Sequence, residues 1–127
     1  MKVLTVKTDN SVKATQIFTQ RNNEVQWADI RKLMSSNVEP LYLRKISRLA
    51  YLYIMYAEKT AQDRPLNRIA TLLLGDPERA VRGDAVITRT DHLGSGAKIL
   101  ALEDDEVQKI IEKMSILAGG KIEILKT

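Results

Sequence analysis

Residues 65–90 read PLNRIATLLLGDPERAVRGDAVITRT, and within them a helix signal passes through a turn into a strand signal. Leu66, Ile69, Ala70 and Leu73 recur at spacings of three and four, which predicts one apolar stripe along a helix with Asn67, Arg68 and Thr71 facing outward. Pro65 suits a first helical turn, where its missing N–H is no loss. Asp63 is the expected cap just before it, and Gly75 can take the left-handed conformation that closes the helix. Gly75-Asp76-Pro77 is a stop signal. Gly83-Asp84 then leads into Ala85-Val86-Ile87-Thr88, whose β-branched residues fit a half-buried pleated surface. Helix, turn and strand are adjacent in sequence, so they are expected to pack together.

Upstream, Lys2 to Lys7 alternates with Val3, Thr5 and Lys7 on one face and Lys2, Leu4 and Val6 on the other, the pattern of a strand. Thr8-Asp9-Asn10-Ser11 is dense in turn formers, and the residues from Val12 to Phe18 can return as the second strand of a hairpin. Asn22 or Asn23 is the expected cap of a helix in which Trp27, Ile30, Leu33 and Met34 repeat at helical spacing. Residues 40–57 fit either of two states. Pro40 can open a long helix with Arg44, Lys45 and Arg48 on its polar face, whereas the unbroken apolar and aromatic run from Ala50 to Met55 also suits a strand buried on both faces. As a strand, it would set Tyr51, Tyr53 and Met55 on one face and Leu52, Ile54 and Tyr56 on the other.

Downstream, residues 91–96 form a polar, glycine-rich loop and residues 97–102 a short strand. Glu103 to Glu106 place four acids in the first turn of a helix whose apolar positions are Val107, Ile110, Ile111, Met114 and Leu117, and acids there complement the helix dipole. Gly119-Gly120 stops it, and Lys121 to Lys126 alternates as a last strand. The order strand, strand, helix, open segment, helix, strand, helix, strand predicts an α+β fold. Residues 1–127 would make one small domain, a mixed or antiparallel sheet with two to three helices packed against it.

A chain of 127 residues, 44% of them hydrophobic, can bury a core without staples. It contains no cysteine, which excludes disulfides and cysteine zinc sites and suits a reducing cytoplasm. No apolar run approaches the length of a membrane span and the N-terminus is too charged for a secretion signal, so the expectation is a cytoplasmic protein with no membrane partner. The net charge of +4 is uneven: residues 1–82 hold 14 Lys and Arg against 8 Asp and Glu, and residues 83–127 hold 6 against 8. A basic N-terminal part makes an anionic partner worth testing, although ordinary solubility gives the same pattern.

The strand beginning MKVL, the segment ending YIMYAEKT, the run PLNRIAT and the following GDAVI together resemble an uncharacterised family of small domains encoded by phages and mobile elements. The similarity covers roughly residues 1–100 and rests on Glu58, on Asn67, Arg68, Ala70 and Thr71, and on Gly83 and Asp84. It implies strands rather than a helix in residues 38–57 and an accessory role for a virus or plasmid in its host cell. It carries over no catalytic residue.

The constellations that carry chemistry are few. His92, the single histidine, neighbours Asp91, but adjacent residues on an extended chain point to opposite sides, and no serine among Ser11, Ser35 and Ser47 sits in a nucleophile elbow. Gly94-Ser95-Gly96-Ala97-Lys98 lacks the spacing of a Walker loop, and Glu103 to Glu106 reads as a helix cap rather than a cation loop. No cofactor, metal or catalytic residue is therefore expected, and an enzyme using Asp84, Asp91 or His92 ranks last. Arginines are more suggestive. Tyr53, Arg64, Asn67, Arg68 and Arg82 are the candidate contacts for a host protein or a small anionic, nucleotide-like ligand, with arginines taking phosphates and tyrosine a ring. The competing expectation is a solvated basic face with the tyrosines in the core or at a subunit interface. A sequence-independent nucleic-acid binder is the alternative function, and exposed tyrosines favour a homo-oligomer.

Overall fold

Alternation at the N-terminus produces the centre of the sheet. The computed structural model describes residues 2–17, 24–34, 37–43, 46, 52–59, 63–90, 99–120 and 122–125. Strand β1 (Lys2–Val6) turns back into antiparallel β2 (Ser11–Gln16). The turn closes because Asn10 accepts a left-handed φ of 68° and the Asp9 carboxylate accepts the Ser11 N–H at 3.0 Å. Both hydrogen bonds from Ser11 to that carboxylate hold the Asp9 carboxyl below its ordinary value.

The segment that sequence left open is two strands, β3 (Val38–Tyr42) and β4 (Leu52–Glu58). A strand in mid-sheet buries both faces, which explains its unbroken apolar run: Tyr53, Met55 and Ala57 enter one core, Ile54 and Tyr56 the other. Strands β5 (Ala85–Thr90) and β6 (Glu123–Leu125) complete six in the order β3-β4-β5-β1-β2-β6. Every neighbouring pair is antiparallel except β2 and β6, so the sheet is mixed and the fold α+β.

Helix α1 (Trp27–Leu33) covers one face, where Ile30 packs with Val3, Ile54, Tyr56 and Val86. Helices α2 (Arg68–Leu74) and α3 (Asp104–Leu117) cover the other. The stripe expected on α3 is the one buried there, Val107, Ile110, Ile111 and Met114. Each such side chain contributes roughly 1.5–3 kcal/mol of burial.

Helix α2 departs from expectation at its start. Its cap is Asn67, not Asp63, and Pro65 lies outside the helix. The reason is a short ribbon: Asn67 N–H donates to Val81 O at 2.8 Å and Gly83 N–H to Pro65 O at 2.9 Å, with Leu66 bridging Arg82. Pairing with residues 81–83 claims the backbone groups that an earlier helical turn would need. Leu66 is consequently 47% exposed while Asn67 is fully buried, the reverse of the stripe read from spacing. Residues 99–102 are likewise no full strand. Leu100 bridges Arg89 and Glu24, and Leu102 bridges Lys2, so this segment is a wedge between the ends of β5 and β1. Asn22, Asn23, Arg44, Arg48, Tyr51, Ser35, Ser47, Asp91, His92 and the glycines at 94 and 96 lie outside the described residues.

Candidate functional site

Three strand ends meet at one end of the sheet. β1 leaves there at Thr8, β4 ends there at Glu58, and β5 begins there after Gly83 and Asp84. The last turn of α1, with Lys32, Leu33 and Met34, and the approach to α2, with Arg64 and Pro65, close the sides. Together these residues line an open cavity of about 530 Å³.

Gly83 makes the corner. Its φ of +76° is left-handed backbone that glycine adopts without strain, and a β-carbon there would stand 3.7 Å from both Arg64 and the Glu58 carboxylate, an ordinary contact. Conformation, not crowding, therefore requires glycine. Below it, Asn67 ties the corner to the sheet: its side-chain N–H groups donate to Val6 O at 2.8 Å and Gly83 O at 2.9 Å, while its Oδ1 accepts the Ala70 N–H at 3.1 Å. One buried amide thus joins β1, the turn before β5 and the first turn of α2.

The charges of the lining are arranged in a definite way. Asp84 Oδ1 accepts the Thr8 N–H at 3.2 Å, and Glu58 Oε2 lies 3.6 Å from Arg64 Nε. Lys32 has no ion-pair partner among the described residues. The side chain of Arg64 is 59% exposed, so its outer N–H groups remain accessible.

Of the five residues singled out by sequence, the structure brings Arg64 to the cavity wall and Arg82 beside it, with the Arg82 guanidinium donating to Arg64 O at 3.3 Å. Arg68 is exposed on the first turn of α2 and does not line the cavity. Asn67 is fully buried and spent on backbone. Tyr53 lies toward the opposite end of the sheet, 6% exposed, its hydroxyl donating to Glu106 Oε2 at 2.7 Å. There Arg89 Nη1 meets Glu106 Oε1 at 2.6 Å, and that same oxygen accepts the Glu103 N–H at 3.0 Å. Arg89 and Glu106 therefore form a buried ion pair, and Glu106 keeps its expected place in the capping first turn of α3 while it meets the arginine.

Lys32, Met34 and Thr8 were not singled out as site residues from the sequence. Lys32 reads as ordinary decoration of an amphipathic helix, and only the convergence of chain ends makes it part of a site. Glu58, Gly83 and Asp84 had a signal, since the resemblance runs through all three. Among the described residues no group of three or more metal-ligating side chains occurs, and no helix is long and apolar enough to cross a membrane. No family model, curated protein or solved structure matches the chain.

Proposed function

We propose that the protein is a non-enzymatic accessory protein of a phage or mobile element that holds a small anionic, nucleotide-like ligand in the cavity at the end of the sheet. The charge arrangement of the lining carries this reading. Both carboxylates are engaged, Asp84 by the Thr8 N–H and Glu58 by Arg64, whereas Lys32 and the outer N–H groups of Arg64 are available to a phosphate. Leu33, Met34 and Pro65 supply an apolar wall for a ring. A volume of about 530 Å³ lies within the range of about 300–1,000 Å³ usual for small-molecule sites. The accessory role rests on the resemblance, whose positions Glu58, Gly83 and Asp84 all line the cavity.

Thermal unfolding with nucleoside monophosphates and inorganic pyrophosphate tests the reading. At low salt a bound anion raises the melting temperature with concentration, by about 2.7 kcal/mol of stability at a hundredfold excess over Kd. The double variant Lys32→Ala/Arg64→Ala is expected to lose that rise. An unchanged melting temperature across the panel, or an equal rise in the double variant, overturns the proposal.

A further inference from the structure

A second surface lies on the α1 face of the sheet, outside the cavity. Trp27 opens α1 with 37% of its area exposed, its ring edge-on to buried Tyr56 at 5.5 Å between centroids and 69° between planes. Pro40 pairs with Tyr56 and Tyr42 with Ile54, which puts Pro40 and Tyr42 on that same face, and Tyr42 is 40% exposed. One turn beyond Trp27, the Arg31 guanidinium stands 6.0 Å from the indole centroid, and exposed Lys32 follows it. The result is a shelf of Trp27, Pro40 and Tyr42 edged by the Arg31 cation.

Docking α1 does not require this shelf, because buried Ile30 with partly buried Leu33 and Met34 already seals the helix to the sheet. Tryptophan, tyrosine and arginine together mark binding surfaces. Charge then selects the partner. Arg31 is cationic, and the acid on the same helix, Asp29, is occupied by the Gln26 N–H at 3.2 Å. Basic residues also dominate the first 82 positions of the chain, 14 against 8. A polyanion that carries flat rings meets all of these features at once.

We infer that this shelf binds single-stranded nucleic acid without base preference, the bases stacking on Trp27 and Tyr42 and the phosphates meeting Arg31. Every base offers a flat face to an aromatic ring, so stacking tolerates any sequence. The inference stands apart from the small-ligand reading, since Trp27, Tyr42 and Arg31 do not line the cavity.

Trp27 is the chain's one tryptophan, so its fluorescence reports the shelf alone. The full chain is titrated at low salt with a short oligothymidylate and with an abasic deoxyribose-phosphate strand of equal length. Oligothymidylate is expected to quench the emission to saturation, with affinity falling steeply as salt rises, and the abasic strand to bind at least about tenfold more weakly. Anisotropy of labelled oligothymidylate then reads the variants. Trp27→Leu and Arg31→Glu each weaken binding at least about fivefold, whereas Trp27→Phe, which keeps a ring, stays within about twofold. Absence of binding, equal affinity for the abasic strand, or indifference to Arg31→Glu overturns the inference; the last holds even where Trp27→Leu fails to fold, because Arg31 is exposed. Pyrophosphate stabilisation of the Arg31→Glu variant reads the cavity separately, so the two proposals fail independently.

Discussion

At the residue scale, two buried polar clusters replace what sequence assigned to ligand binding. Asn67 satisfies two carbonyls and one N–H from three segments. Asn67→Ala removes a helix cap, about 0.5–2 kcal/mol, and leaves buried Val6 and Gly83 carbonyls short of a donor, about 1–3 kcal/mol each. A loss of at least about 3 kcal/mol in urea unfolding is expected, with Asn67→Asp also destabilising because it loses both donors; a loss below about 1 kcal/mol would show that the amide is not the joint. Glu106 tells the same lesson. Its carboxylate binds Arg89, Tyr53 and the Glu103 N–H at once, in a setting where Arg89 is 5% and Glu106 7% exposed. Glu106→Gln withdraws a carboxylate from a buried guanidinium, at a cost of about 1.5–3 kcal/mol, and Glu106→Leu combined with Arg89→Met is expected to recover most of it. A double-mutant cycle measures that recovery. Sequence spacing showed Glu106 at the right place for a cap but could not show the arginine, 17 positions away, that reaches it.

At the element scale, helix limits followed sequence well where only local chemistry acted, as at Gly75, whose φ of 69° ends α2. They failed where another segment competed, as at the 64–67 ribbon. Strand β3 shows a different device. Leu43 N–H donates to Tyr53 O and Lys59 N–H to Asn37 O, so by alternation the N–H groups of Val38 and Tyr42 point away from β4, toward the outer edge of the sheet. Pro40 holds the position between them and has no N–H to offer. It thus leaves a gap among the donors on that side of β3, where a further strand would need one. Pro40→Val restores the donor and adds a strand-favouring side chain, and sedimentation velocity is expected to show self-association at concentrations where the parent chain shows less. Equal sedimentation of the two chains would remove this role from the proline.

At the scale of the whole molecule, the sheet is closed by distant partners: β1, the third residue pair of which joins Val6 to Ala85, is held between β2 and β5. Such pairings depend on the complete chain, and so does the burial of Tyr56 within the face that α1 covers. Burial, with Tyr42 nearby, raises the Tyr56 hydroxyl above its ordinary value of 10.0, against a smaller opposing effect of Thr88. The unfolded chain therefore gives up this proton at lower pH than the folded one. The contribution is fully present below pH 10.0 and is lost as pH rises through the higher folded value. Urea unfolding across the alkaline range is expected to show stability falling more steeply in the parent chain than in Tyr56→Phe. Parallel decline in both would assign the alkaline loss to other groups.

Periods of two and of 3.6 residues, turn chemistry and apolar runs are properties of neighbouring residues, and by themselves they determined the α+β class, α1, the apolar stripe of α3 and the β1–β2 hairpin. The choice of strands in residues 38–57 fell to the sheet, because a run apolar on every face is satisfied only when both faces are covered. The cavity was also a tertiary decision. Lys32, Glu58, Arg64 and Asp84 are separated by as many as 52 positions, and only the antiparallel order of β4, β5 and β1 brings their chain ends to one place. Tertiary packing likewise set which arginine is buried and which faces solvent, since the cost of burying a charge depends on the partner that meets it.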